Sequence, residues 1–279
     1  MTGAMQELVR EIKGTLTGAG IENAARESEW IVESASGLDR ASIALYSGEV
    51  GEPVASKARE LAGRRAGGEP LQYVTGVVGF RRLELQIGPG ALIPRPESEL
   101  VTGVAMDLLP QGGLLVDIGT GAGAMALATA DERPDARVIA TDVAADALEW
   151  AQRNKDALQL EVEFYEGDLF ACLPEEVKGS IDVVVSNPPY VPEDFSLAPV
   201  IRDHEPHVAL FASGDGLAII ERLVADAPEW LKPDGWVVLE MDHAQRDAVR
   251  RLFEGRGYRD VAILEDQTGR PRIARARRP

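Results

Sequence analysis

Asn187, Pro188, Pro189 and Tyr190 follow Ser186 and the run Ile181 to Val185, which reads as a short buried strand by its β-branched density. An amide at the carboxyl end of such a strand, stiffened by two prolines and followed by an aromatic ring, makes a preorganised pocket wall. The chemistry that suits this wall is recognition of a planar, weakly nucleophilic NH2 group. The Asn187 side-chain oxygen and the Pro188 carbonyl each accept one N–H, Pro189 holds the turn, and the Tyr190 ring covers the flat face. Asn-Pro also opens ordinary turns, so the tetrapeptide needs support from elsewhere in the chain.

That support lies upstream. Leu114 to Ile118 is a hydrophobic run that enters Gly119-Thr120-Gly121-Ala122-Gly123 and then the alanine-rich Ala124 to Ala130: strand, tight loop, helix. Glycines at 119, 121 and 123 let a ligand approach the backbone, and the helix start offers N–H groups. A second run, Arg137 to Thr141, ends in Asp142, 23 positions beyond Gly119. An acid there holds a ribose diol, caps the following helix, or does both. The pattern Gly119-x-Gly121-x-x-Ala124 suits a dinucleotide as well as S-adenosylmethionine. Asp117, at the strand end just before the glycines, favours a cofactor with a cationic amino acid part over one whose pyrophosphate needs that space, hence S-adenosylmethionine over NAD.

These residues need a sheet whose strand ends converge. Seven segments read as strands, over 113–118, 136–141, 161–165, 181–186, 235–241, 258–264 and 271–276. Helical segments separate the first six. Only Asp266 to Arg270 separate the last two, which permits an antiparallel hairpin on an otherwise parallel sheet and departs from the six-parallel-strand dinucleotide fold. Leu100, Val101, Val104 and Leu108 mark an amphipathic helix leading into this sheet.

The N-terminal part is helical. Leu8, Ile12 and Leu16 share one face, a second helix carries Trp30 and Ile31, and a third begins at Pro53. Gly67-Gly68-Glu69-Pro70 breaks the pattern, and Tyr73 to Val78 and Leu83 to Ile87 flank Gly79 to Arg82 like a hairpin. The expected organisation is a small helical bundle over 1–72, a β-hairpin connector over 73–96 and an α/β catalytic domain over 97–279.

At 279 residues and 45% hydrophobic, the chain can hold a substantial core and a smaller second domain. No run approaches the roughly 20 apolar residues that span a bilayer, and Met1 to Glu7 has no basic segment leading into an apolar one. The expected location is cytoplasmic, without a membrane partner and as a monomer. Cys172 is alone and cannot form an internal disulfide. His204-Glu205-Pro206-His207 carries a proline against the helix that a His-Glu-x-x-His site requires and is one residue short, so no metal is expected. With 46 acidic and 29 basic residues the net charge is −17, which disfavours tight binding of phosphate backbones. Arg270, Arg272, Arg275, Arg277 and Arg278 read as a solvated last strand and tail.

The whole chain resembles the family of class I methyltransferases that use S-adenosylmethionine to methylate the side-chain amide of a glutamine in bacterial peptide-chain release factors. Besides Asn187 to Tyr190, the resemblance rests on Glu69 to Gly76 and on Ile93-Pro94-Arg95-Pro96-Glu97. It continues in Glu205-Pro206, Ala209-Leu210-Phe211 and Asp215-Gly216-Leu217. It implies a seven-stranded, mostly parallel Rossmann-like sheet with an antiparallel last strand, preceded by the bundle and hairpin, and a release factor as protein substrate that the bundle helps to recognise. It also implies that Asp117 and the loop Gly119 to Gly123 surround the methionine part of the cofactor and that Asp142 holds the ribose. Asp168 and Leu169 then lie near the adenine, Asn187 meets both cofactor and substrate, and Arg95 and Glu97 lie over the active site.

Three departures stand out. Ser98 replaces the usual threonine, Glu240-Met241-Asp242 replaces Glu-Ile-Gly, and Leu169 takes a place where some members have an aromatic ring. The alternatives left open are a paralogous methyltransferase acting on another protein or a small-molecule amide or amine, and an adenine N6-methyltransferase. Adenine presents a similar conjugated NH2 group, although the acidity of this chain disfavours a nucleic acid.

Overall fold

The computed structural model describes residues 3–279; Met1 and Thr2, which enter the leader reading above, lie outside the described residues. The chain divides into two units, Met1–Val77 with Leu197–His204, and Val78–Ser196 with Glu205–Pro279.

In the first unit, helices α1 (Ala4–Gly18), α2 (Ala24–Ser36), α3 (Arg40–Leu45), α4 (Glu52–Ala66) and α5 (Leu71–Thr75) surround one apolar cluster. The i, i+4 spacing of Leu8, Ile12 and Leu16 puts all three into that cluster with Ile31, Val32 and Leu61. Each such side chain contributes about 1.5–3 kcal/mol when fully buried. As expected, α4 carries Pro53 in its first turn. Tyr73 to Thr75, expected as the start of a strand, instead form α5. The reason is local: Tyr73 and Val74 are consecutive and both buried, which a strand with one covered face cannot provide, and Gly76 ends the turn with φ of 80°.

The hairpin is therefore shorter, with β1 (Val77–Phe80) and β2 (Leu83–Gln86). After it come α6 (Pro96–Leu108), β3 (Leu114–Ile118), α7 (Ala124–Glu132), β4 (Arg137–Asp142), α8 (Ala145–Leu158), β5 (Glu163–Glu166) and β6 (Ile181–Ser186). The excursion that follows holds β7 (Val191–Pro192), the short α9 (Pro199–Arg202) and β8 (Phe211–Ala212). The chain ends with α10 (Ala218–Trp230), β9 (Leu231–Glu240), α11 (Arg246–Gly255), β10 (Arg259–Glu265) and β11 (Pro271–Arg277).

All seven strands expected from the sequence form one sheet, ordered β10-β11-β9-β6-β3-β4-β5. Only β11 runs against its neighbours β9 and β10; the other pairings are parallel. The last strand thus lies inside the sheet, between β9 and β10. Every residue of β3 is buried, as befits a parallel strand covered on both faces. Strand order reverses there: β4 and β5 lie to one side of β3, and β6 and β9 to the other. Ligands bind at such a switch point, outside the carboxyl ends of the strands, and both sequence motifs emerge at this point.

Asn154 on α8 fastens the hairpin to the glycine loop. Its Oδ1 accepts the Gln86 N–H at 2.7 Å, and its Nδ2 donates to the carbonyls of Gln86 and Ala122 at 3.0 and 3.1 Å. Asn154→Ala leaves these backbone groups unpaired, that of Ala122 in a buried setting and those of Gln86 in a partly buried one, so stability should fall by about 1–3 kcal/mol. A lower urea midpoint at unchanged slope is the expected observation.

Candidate active site

The glycine loop is shaped mainly by the strand beside it. The Gly119 and Thr120 N–H groups both donate to the Thr141 carbonyl, at 2.8 and 2.9 Å, and the Gly121 N–H donates to Asp142 Oδ2 at 2.8 Å. Asp142 Oδ1 also accepts the Ala144 N–H at 2.9 Å. Its carboxylate therefore braces the loop and the start of α8 together, and burial pushes its pKa up. At Gly123, φ is 86° and an added Cβ would stand 3.2 Å from that of Ala151, so the bare backbone lets loop and α8 close up. At Gly121, φ is 59° and an added Cβ would meet no atom within 4 Å: this backbone borders open space.

That space is a cavity lined by Gly119 to Ala122, Thr141, Asp142, Asp168, Leu169, Asn187, Pro188 and Pro189, with Phe80, Leu92, Pro94, Ser98 and Val208 around them. Gly123 is not among its lining residues; it packs behind, against α8. Leu169 adopts φ of 52°, an unusual conformation for a branched side chain, and its carbonyl accepts the Thr141 hydroxyl at 3.2 Å. Asp168 is more exposed and pairs with Arg222 at 2.6 Å.

Asn187 and Pro188 leave β6 beside Ile118, because the Ser186 hydroxyl donates to the Ile118 carbonyl at 2.6 Å. Asn187 Nδ2 donates to Ser98 Oγ at 3.0 Å, and Ser98 Oγ lies 2.6 Å from Glu240 Oε2. The Tyr190 hydroxyl donates to Glu240 Oε1 at 3.1 Å, and the Tyr190 carbonyl accepts from Gln245 Nε2 at 2.9 Å. Glu240 is 1% exposed. Burial pushes its pKa up, while the Ser98 and Tyr190 hydrogen bonds and the nearby Arg272 pull it down.

Other residues singled out in the sequence stand behind the cavity wall. Asp117 is wholly buried beneath the loop, where Oδ2 accepts the Thr120 hydroxyl at 2.6 Å, and Tyr190 is partly buried against the sheet core. Neither lines the cavity. Arg95 pairs with the buried Glu205 at 2.6 Å, which also accepts the Ile93 N–H at 3.1 Å. Glu97 sits in the first turn of α6; from that run Pro94 and Ser98 reach the cavity.

The sequence reading gave no role to Ser98, Glu240, Gln245 or Asn154. A signal existed for Glu240: it is an acid closing the apolar run Trp236-Val237-Val238-Leu239, at the same sheet edge as the two motifs. The departure at Asp242 has a local purpose. Asp242 and Gln245 form a reciprocal cap, which holds the Gln245 side chain against the Tyr190 carbonyl.

Burial pushes the Asp117 carboxyl from 3.8 up to about 7, opposed by the Thr120 hydrogen bond and reinforced by Asp142. The raised value means that the folded state holds this proton more tightly than the unfolded state does. The resulting stabilisation is complete below pH 3.8 and is lost as pH rises to about 7. Asp117→Asn cannot titrate. Its stability relative to the parent should therefore improve steadily between pH 4 and 7 and level off above; urea unfolding across that range checks this, and a constant difference would contradict it.

Known proteins resemble this chain over most of its length. The family described as PrmC N-terminal domain matches residues 7–76, and the Methyltransferase small domain matches residues 100–200. The chain is 44% identical over 226 residues to the release factor glutamine methyltransferase of Streptomyces coelicolor, covering 78% of this chain and 79% of the relative. It is 37% identical over 276 residues to that of Mycolicibacterium smegmatis, covering 98% of each. Among solved structures, a methyltransferase from Pyrococcus furiosus superimposes with a TM-score of 0.53 at 22% identity, covering 70% of this chain and 88% of the other. At that identity the likeness speaks for the fold, a Rossmann-like methyltransferase sheet. With relatives matched across nearly its whole length, the chain belongs to the release factor glutamine methyltransferase family.

Proposed function

We propose that this chain transfers a methyl group from S-adenosylmethionine to the side-chain amide nitrogen of a glutamine in a peptide-chain release factor. The observation that carries the reading is the position of the Asn187 amide, which faces the cavity beside Pro188 while its NH2 end is held by Ser98. Its oxygen is left to accept a hydrogen bond. A substrate amide NH2 has two donors, and Asn187 Oδ1 with the Pro188 carbonyl would receive them. The acidic surface suits a protein partner better than a phosphate backbone, and a translation factor is met in the cytoplasm.

The residues fit S-adenosylmethionine better than a dinucleotide. The Gly119, Thr120 and Gly121 N–H groups are already bonded to Thr141 and Asp142, and the Asp142 carboxylate stands where a pyrophosphate would need positive partners. Asp142 has acceptor capacity left for a ribose diol, Asp168 and Leu169 border the place for an adenine, and the bare backbone from Gly119 to Ala122 admits the amino acid part. Asp117 acts through Thr120, from beneath the loop. Bound there, S-adenosylmethionine supplies an electrophilic methyl group on a sulfonium.

The chain itself supplies position and charge stabilisation. An amide lone pair is delocalised, so the nitrogen is a poor nucleophile, and its N–H is too weakly acidic for an ordinary side-chain base to remove first. Two acceptors on the two N–H groups fix the nitrogen and stabilise positive charge as it develops there. The surplus proton leaves the nitrogen afterwards, along one of those hydrogen bonds toward solvent. Pro189 stiffens the turn, and Tyr190 anchors it through Glu240.

Incubation with labelled cofactor and a bacterial release factor, followed by mass-spectrometric location of the methyl group, tests the reading; a mass increase anywhere but on a glutamine side chain would contradict it. Asn187→Ala should lower turnover by about 10²–10³ while cofactor affinity stays within about threefold. Gly121→Val places a branched side chain, on a backbone that strains it, into the open space of the cavity. Calorimetry should show S-adenosylmethionine binding weakened at least about tenfold, and parental affinity would displace the loop from the ligand's path.

A further inference from the structure

We infer that Glu240, acting through Ser98, orients the Asn187 amide so that its oxygen, and not its nitrogen, faces the substrate nitrogen. The inference rests on the function proposed above. The two ends of a carboxamide are nearly equal in size, so packing alone does not choose between them; hydrogen bonds must. Asn187 Nδ2 lies 3.0 Å from Ser98 Oγ, a hydroxyl that owns a single hydrogen. Glu240 Oε2, 2.6 Å from the same Oγ, accepts that hydrogen, as Oε1 accepts the Tyr190 hydroxyl at 3.1 Å. Ser98 is left with lone pairs toward Asn187. Turning the amide over would set Oδ1 against Oγ with no hydrogen between them, a repulsive contact in a site shielded from water, since Ser98 is 4% and Glu240 1% exposed.

The direction of the chain is thus fixed from its buried end. Glu240 accepts from Ser98, Ser98 accepts from Asn187, and the one acceptor left over is Asn187 Oδ1, on a residue that lines the cavity. The other Glu240 oxygen receives the Tyr190 hydroxyl at 3.1 Å, so one carboxylate holds both ends of the Asn187 to Tyr190 turn. What position 98 must supply is a hydroxyl, which threonine supplies equally well. Ser98 and Glu240 are positioning residues, because they act on the substrate through Asn187.

The test compares the full-length chain with Ser98→Ala, Ser98→Thr and Glu240→Gln, using a bacterial release factor and radiolabelled cofactor. Losing one positioned hydrogen bond should lower the kcat of Ser98→Ala by about three- to tenfold, with the KM for the release factor and the cofactor affinity within about twofold. Ser98→Thr should recover most of the lost kcat. Glu240→Gln should lose at least as much as Ser98→Ala, since its carboxamide brings a donor to where two hydroxyls need acceptors. Parental kcat in Ser98→Ala, or equal losses in the alanine and threonine variants, would overturn the inference. A readout without turnover separates this from the proposed function. The side-chain NH2 resonance of Asn187, assigned by its loss in Asn187→Asp, should move in Ser98→Ala and stay in Ser98→Thr. An unmoved resonance in Ser98→Ala overturns the inference, whereas a moved resonance in a chain that leaves the glutamine unmethylated upholds the orientation and overturns the function.

Discussion

The site depends on two parallel strands keeping their carboxyl ends side by side. β3 and β6 pair from Leu115 with Val183 to Asp117 with Val185, and one residue beyond that register the Ser186 hydroxyl bonds the Ile118 carbonyl. A slip of one residue would turn every side chain of β6 to the opposite face of the sheet. It would also carry Asn187 away from the loop that follows β3. The register is protected because a slip by one residue would carry Asp182 or Ser186 into the place of Val183 or Val185, both fully buried. Hydrophobic burial sets the register, and the register brings two motifs 64 or more residues apart in sequence to one cavity.

Around this crevice two acids, Asp117 and Glu240, are buried and a third, Asp142, is half-buried, and each is handled differently. Asp117 has one oxygen bonded to Thr120 and one unpartnered, so burial pushes its pKa up to about 7. Asp142 receives backbone N–H groups from Gly121 and Ala144, which favour its charged form. Glu240 receives two hydroxyls and has Arg272 nearby. An unpaired buried charge is expensive, and two of these acids offset that cost by bonding the groups that must be held still. Asp142 braces the loop, and Glu240 braces the turn.

Much of this was legible in the sequence, for identifiable reasons. The seven strands announce themselves because β-branched density and apolar runs are local properties, and the five residues between β10 and β11 leave room for little except a hairpin. The placement of β11 between β9 and β10 is not local; it follows from which edges remain to be covered once β6 and β9 have paired. α3 and α5 were missed because helices of six and five residues are too short to show a period. The same distinction divides the site. Motif residues adjacent in sequence, Asn187 with Pro188 and Gly119 to Ala122, reach the cavity together. Partnerships across long separations, 142 residues for Ser98 with Glu240 and 110 for Arg95 with Glu205, have no local signature. The partner of Arg95, Glu205, emerges only when the chain after β7 returns.

The departures from the family pattern can be weighed by where they fall. Met241 follows β9 and is fully buried in the sheet core, while Asp242 caps the turn that presents Gln245 to the Tyr190 carbonyl. A glycine at 242 could not accept the Ala244 N–H through a side chain, as Asp242 Oδ1 does at 2.9 Å. The added acid is thus tied up in building the support of the Asn187 to Tyr190 turn, and it does not line the cavity. Ser98 keeps the hydroxyl on which the Asn187 contact depends. Leu169 lines the cavity as Ser98 does, but differs in kind, because it holds a backbone conformation unfavourable to its branched side chain. Where Ser98 differs from threonine by one methyl group, Leu169 puts a flexible aliphatic side chain on the cavity wall in place of a flat ring, the larger change to the surface a ligand would touch.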